Sequence, residues 1–416
     1  MNDFNSYNIS GKRKDYTYQG RYPFMLIQFS IENHRSIKDN AVISFAASKD
    51  KSLESYLLHP DEKKTLLPAI ALYGANAAGK SNVLHALMTM KDMVVGEAAK
   101  ISKGQKLPWE PFGSTRTPTS FEIVFIYHGV RYAYGYSFNA DRIHTEYLYH
   151  WPNGREALIF SRKEDKYEFR ENVNEQITLS NRTPENKLYL VSSNDWNLPQ
   201  TENAYKWFFE KLTFLMEQSP SASETVAQIV SSNEKKARIL KELLIADLGI
   251  SDVTIKAIAG KNPLITTTHR VIGEDGSMDY FQLLMDQESS GTQRFFSRIG
   301  GWLQALENGA LLVVDEIEDS LHPLLTKRLI EMVQDNTINT EGAQLLFTTH
   351  DAMLLDLTFF RRDQIWFAEK DERSCATELY SLASFSPRKG ENIRKGYLQG
   401  RFGAIPFIGG DGLWQE

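Results

Sequence analysis

The sequence predicts a mixed α/β fold built on a phosphate-binding strand–loop–helix unit, with an antiparallel β subdomain and a helical insertion. Three observations carry this. Residues 66–73 form an apolar run that leads straight into Gly74-Ala75-Asn76-Ala77-Ala78-Gly79-Lys80-Ser81, the G-x-x-x-x-G-K-[ST] spacing of a Walker A phosphate loop. Residues 311–316 form a second apolar strand that ends in two acids, Asp315 and Glu316, as a buried parallel strand feeding the same crevice would. Between these, residues 119–170 alternate with period 2 and residues 204–248 follow helical spacing.

Each residue of the loop has a physical task. Glycines without Cβ let the backbone wrap phosphates, and successive N–H groups followed by a helix N-terminus make an anion nest. Lys80 then neutralises β- and γ-phosphates while Ser81 ligates Mg²⁺. ATP and Mg²⁺ are therefore the expected ligands, with Gly74 to Ser81 and the adjoining Asn82 around them. In the Walker B strand, Asp315 is expected in the Mg²⁺ shell and Glu316 as the base that activates water.

Composition narrows the class. The 416 residues, 42% hydrophobic and 24% charged, describe a soluble globular chain of two to three domain-sized units. A single cysteine, Cys375, excludes a disulfide framework and Cys-based zinc sites and suits a reducing cytoplasm. No apolar stretch reaches membrane-spanning length, and the N-terminus is too polar for a signal peptide. The net charge of −6 argues against wholesale nucleic-acid coating yet is compatible with a local basic groove, so DNA binding stays open.

Along the chain, residues 1–24 lack periodicity and read as a flexible leader, with Met25 an alternative translation start. Residues 25–118 form the N-terminal part of the phosphate-binding head, with strands at 26–33 and 42–46 and a helix from Lys80 to about Met93. Residues 119–195 read as an antiparallel meander, 196–260 as a helical insertion and 261–416 as the C-terminal part of the head. No long heptad array suggests a coiled-coil arm.

Ser289-Ser290-Gly291-Thr292-Gln293 precedes the acidic strand and opens a helical pattern, while residues 345–351 form a strand ending in Thr349-His350-Asp351. With these ordered motifs the chain resembles ABC-type ATPases, in particular the chromosome-maintenance branch of SMC-like and RecF-like heads. That resemblance implies an ABC-type P-loop head in which Ser290 and Gly291 of one subunit cap the nucleotide of another. It further implies that Asp319 lies in a D-loop within Glu318-Asp319-Ser320-Leu321-His322-Pro323, and that His350 is the switch histidine at the γ-phosphate. Arg35, in Asn33-His34-Arg35-Ser36, matches a nucleotide-contacting N-terminal loop, whereas His322 reads as a helix-start residue. No glutamine loop is assigned.

More narrowly, the opening from Met25, the phosphate loop and Gly396-Tyr397-Leu398-Gln399-Gly400-Arg401-Phe402-Gly403-Ala404-Ile405-Pro406 resemble AbiL-type AAA/ABC-hybrid ATPases of abortive infection. PARIS and Septu ATPases are more distant relatives. The C-terminal motif reads as a turn packing back on the head, without a catalytic role. The resemblance implies a cytoplasmic ATPase that forms a homo-oligomer through ATP-sandwiched heads. It would act as sensor and scaffold for an effector encoded nearby, a Toprim-like or other nuclease, under a phage-protein trigger. A RecF- or SMC-like ATPase that clamps DNA directly is the alternative.

Overall fold

The computed structural model describes residues 24–61, 64–216, 222–246, 249–258, 260, 262–273, 276–388 and 390–405. The expected leader therefore lies outside the described residues except for Phe24, which already belongs to a strand, and Pro406 of the C-terminal motif lies outside them too.

The chain opens with β1 (Phe24–Glu32) and β2 (Ala41–Ser44), and β3 (Ala69–Tyr73) then runs through the phosphate loop into α1 (Lys80–Val95). The meander follows as β4 (Thr119–Tyr127), β5 (Val130–Phe138), β6 (Ile143–Trp151), β7 (Ala157–Lys163) and β8 (Lys166–Phe169). After it come α2 (Val173–Ser180), α3 (Tyr189–Asp195), α4 (Pro199–Glu210), β9 (Leu212–Leu215), α5 (Ser223–Ser231) and α6 (Asn233–Ile245). Strands β10 (Ile250–Lys256), β11 (Leu264–Ile272) and β12 (Met278–Leu284) precede α7 (Ser290–Asn308), β13 (Leu311–Val314), α8 (Pro323–Gln334) and β14 (Gln344–Thr348). The described chain closes with β15 (Ile365–Lys370), β16 (Thr377–Ser381) and α9 (Ile393–Leu398).

These strands make a seven-stranded antiparallel sheet in the order β2-β1-β4-β5-β6-β7-β8, a three-stranded sheet β10-β11-β12, and a six-stranded sheet β16-β15-β3-β14-β13-β9. The last is parallel apart from β16. Its central strands β3, β13 and β14 are buried along their whole length, as strands covered on both faces must be. Alternation assigns their side chains to two cores. Ile70, Leu72 and Val313 face α1, α4 and the antiparallel sheet, whereas Ala71, Tyr73, Val314 and Phe347 face α7 and α8.

The segment 196–260 is not helical throughout, which corrects the expectation of a helical insertion. Leu212 and Leu215 stand three residues apart, a spacing that suits a helix, yet they open and close β9, which pairs in parallel with β13 at the edge of the central sheet. Strand β10 joins β11 and β12 in a small antiparallel sheet that ends just before α7. Among the described residues, no helix is long and apolar enough to cross a membrane.

Gln344 fastens the two large sheets together. A register shift between Leu26 and Gln28 interrupts the β1–β4 ladder. The Leu26 N–H donates instead to Gln344 Oε1 at 2.6 Å, and Gln344 Nε2 donates to the Leu26 and Leu67 carbonyls at 3.1 and 3.2 Å. Gln344→Leu fills the space but leaves that N–H without a partner, so it should cost about 1–3 kcal/mol in urea unfolding. An unchanged midpoint would show that the sheets are held by apolar packing alone.

Candidate functional site

Strands β3, β14 and β13 are neighbours and run parallel, so their C-terminal ends open side by side, where α/β sheets bind ligands. The phosphate loop leaves β3, Asp315 and Glu316 leave β13, and Thr349 and His350 leave β14. Sheet order thus gathers motifs that are far apart in sequence.

The loop is confined by its neighbours. A Cβ at Gly74 would meet the Ala368 carbonyl oxygen of β15 at 2.3 Å, so only glycine lets the loop leave the sheet there. Gly79 has φ +97°, and a Cβ would meet Thr377 Oγ1 at 2.0 Å and Ser36 Oγ at 2.6 Å. Thr377 Oγ1 in turn donates to the Ala78 carbonyl at 2.9 Å, and Asn82 Nδ2 donates to Ser36 Oγ at 2.7 Å. The loop of residues 33–38 therefore clamps the start of α1.

Lys80 is 6% exposed, and its ammonium donates to the Gly74 and Ala75 carbonyls at 2.9 and 3.1 Å. Burial pulls its pKa below the usual lysine value, and the carboxylates of Asp315, Glu316 and Glu318 pull it back up. A buried cation inside a nest of backbone N–H groups fits a polyphosphate.

Ser81 Oγ donates to Asp315 Oδ1 at 3.1 Å, and Thr348 Oγ1 donates to the same oxygen at 2.5 Å. The Glu316 N–H donates to Thr348 Oγ1 at 2.8 Å, so a single hydroxyl fixes both acids. A hydroxyl–carboxylate pair is the donor set that Mg²⁺ takes when phosphates and water complete its octahedron. Among the described residues there is no cluster of three His, Cys, Asp or Glu able to hold a metal by itself.

Glu316 adopts the left-handed region at φ 46°. Besides Thr348, two residues hold it: the Asp319 N–H donates to the Glu316 carbonyl at 2.9 Å, and the guanidinium of Arg298, 2% exposed, donates to the Glu316 carbonyl at 3.4 Å and to the Ile317 carbonyl. Burial lowers the Arg298 pKa to about 10, with Arg294 adding to the effect. The Glu316 side chain is 57% exposed, and its Oε1 lies 3.7 Å from His350 Nε2. The His350 N–H is held by the Glu318 carboxylate.

A cavity of about 910 Å³ joins Gly74, Ala75, Asn76, Glu316, Asp319 and His350. Ser290 and Gly291 do not line it. Ser289 caps α7 by accepting from the Thr292 N–H at 3.1 Å, which leaves Ser290 exposed on the first turn. Gly291 lies against the Ser320 carbonyl, and Arg294 pairs with Asp319. Arg35, also at positive φ, is paired with Glu110 at 2.6 Å and does not reach the cavity lining. His322 caps α8, as read from the sequence.

Sequence reasoning missed Thr348 and Arg298. An arginine amid Phe295, Ile299 and Trp302 on the apolar stripe of α7 is the signal that marked Arg298. It also missed that Tyr397, Leu398 and Ile405 form one wall of the cavity. Tyr397 packs edge-on to Tyr73 at 6.0 Å, so the C-terminal motif does fold back on the head, directly at the phosphate loop.

Residues 69–356, well over half of the chain, match the family described as "AAA domain, putative AbiEii toxin, Type IV TA system". The SMC head domain from Thermotoga maritima is similar at 10% identity and a TM-score of 0.39, over 86% of this chain and 98% of that one. CbiO1 from Clostridium perfringens, part of the ABC transporter complex CbiONQ, is similar at 12% identity and a TM-score of 0.34, over 91% of this chain and 95% of that one. No curated protein matches the sequence. The chain belongs to the AAA family so described, and its fold is that of a P-loop ATPase.

Thr348→Val preserves volume but removes the hydroxyl that fixes both acids, so it should lower stability by about 1–3 kcal/mol. Thr348→Ser should retain most of it. Equal losses in the two variants would assign the effect to methyl packing.

Proposed function

We propose that this AAA-family chain is an AbiL-type ATP-hydrolysing sensor and scaffold of bacterial phage defence, which acts through paired copies and controls a separate effector. The observation that carries the reading is the convergence of the phosphate loop, the Ser81–Asp315 pair and the Glu316–His350 pair at one sheet edge, with Ser290 and Gly291 outside that cavity.

With ATP bound, Lys80 would exchange its two backbone carbonyls for β- and γ-phosphate oxygens, and the N–H groups of residues 74–81 would hold the remainder. Ser81 and Asp315 would hold Mg²⁺, which supplies charge compensation at those oxygens. Glu316 would accept the proton of the attacking water, and His350 would hydrogen-bond the γ-phosphate and register its loss. Glu316 and Ser290 are both exposed in the single copy. A second copy that places Ser290 and Gly291 over the cavity, beside the Asp319 that already lines it, would exclude bulk water and complete the charge-stabilising shell.

Every motif assigned here belongs to nucleotide hydrolysis, so toxicity falls to a partner, a Toprim-like or other nuclease in the cytoplasm released by a phage protein. ATP-dependent pairing would be the bistable element that such a trigger biases.

Lys80→Ala should lose ATP affinity by roughly 100-fold or more, the order expected for a charge-assisted phosphate contact, with near-normal thermal stability. Glu316→Gln should bind ATP yet turn it over about 10²–10⁴ times more slowly. Full turnover in Lys80→Ala would refute the phosphate-loop assignment. Nucleic-acid cleavage by the wild-type chain alone would refute the separate effector.

A further inference from the structure

A second cavity, of about 560 Å³, lies between residues 355–362 and 390–394, within the size range of small-ligand sites. Leu355, Leu357 and Ile393 give it apolar walls, and Arg362 and Arg394 bring two guanidinium groups to it. Arg362 Nη1 donates to Asp50 at 3.2 Å and Arg394 Nη2 donates to the Met353 carbonyl at 3.1 Å. The Nε atoms of both arginines are buried without a hydrogen-bond partner among the described residues. Leaving such donors unmet is costly, and a small turn of either guanidinium towards an anion in the cavity would give it acceptors.

The acids of the same lining are already engaged. Asp356 Oδ1 accepts from the Thr358 N–H and hydroxyl, both at 2.8 Å, and Glu391 is paired with Arg401. An adjoining hollow that shares Gly390 and Glu391 adds Arg388 and Arg401 at the rim. Cationic donors with open valence therefore meet apolar walls. Guanidinium groups present paired N–H donors that match phosphate oxygens, and the apolar walls suit a planar organic body.

We infer that this cavity binds a nucleotide-sized organic phosphate at a site separate from the phosphate loop, and that Arg394 relays its occupancy to the loop carrying His350. The relay has a short path: Arg394 holds the Met353 carbonyl three residues beyond His350. The helix α9 that carries Arg394 also presents Tyr397 and Leu398 to the phosphate-loop cavity, so a shift of α9 reaches both. The relay rests on the hydrolysis reading above; the binding site does not.

Calorimetric titration with ADP tests the site in the full chain. Wild type should take two ADP per chain and Lys80→Ala one. Adding Arg394→Met to Lys80→Ala should weaken the remaining site roughly 10–100-fold. Leu357→Trp, which fills the cavity and leaves both arginines in place, should do the same, so that misfolding of the arginine variant is not mistaken for lost binding. Loss of all ADP binding in Lys80→Ala alone, or residual binding indifferent to both cavity variants, would overturn the site. Displacement of the residual ADP by a single-stranded oligonucleotide at lower concentration than by AMP would overturn it in favour of nucleic acid. For the relay, AMP should change ATP turnover at saturating ATP in wild type but not in Leu357→Trp, and equal turnover with and without AMP would overturn it. A wild type that binds two ADP but never hydrolyses ATP would count against the hydrolysis reading and leave the site standing.

Discussion

Lys80 carries a positive charge into a nearly buried position, and the arrangement around it follows from the need to balance that charge. Two loop carbonyls hold the ammonium, and three carboxylates within electrostatic reach oppose the effect of burial. Backbone carbonyls carry partial charge only, and Asp315 is bonded to Ser81 and Thr348 rather than to the ammonium. Phosphate oxygens would contact the ammonium directly where the loop also offers its N–H groups, with Mg²⁺ beside Asp315 offsetting the nearby carboxylates.

That charge can be held there because the sheet beneath it is rigid. Alternate residues of β3, β13 and β14 are locked into separate cores on the two faces, so the ends of these strands are fixed relative to one another. Neighbouring segments then pin the loops: Ala368 limits Gly74, Ser36 and Thr377 crowd Gly79, and Arg298 holds the backbone beside Glu316. The antiparallel sheet and α7 thus act on the site without contributing a ligand to it.

Much of this was legible in the sequence, because phosphate loops and acid-tipped strands are short-range patterns with few alternatives. The Walker A residues, the Asp315–Glu316 strand end and the meander were all read from local spacing. The edge strand β9 was not, since Leu212 and Leu215 stand at helical spacing, and only pairing with β13 shows a strand whose two leucines face opposite cores. Nor was Thr348 visible as a bridge, for its two partners lie just beyond the end of the neighbouring strand β13. Arg35 shows the opposite limit: its motif points to nucleotide, while its guanidinium is taken by Glu110 from a segment with no sequence signal.

The central claim is that a second copy completes the hydrolytic site, since Ser290 and Gly291 do not line the cavity that Gly74, Glu316 and His350 share. Mixing Ser290→Arg subunits with Lys80→Ala subunits tests it most directly. In freely exchanging mixtures of two inactive variants, one composite site carries both lesions and the other carries neither. The account predicts that ATP hydrolysis returns on mixing, towards half of the wild-type rate per mixed pair. Mixtures as inactive as their components would contradict it and confine hydrolysis to a single subunit.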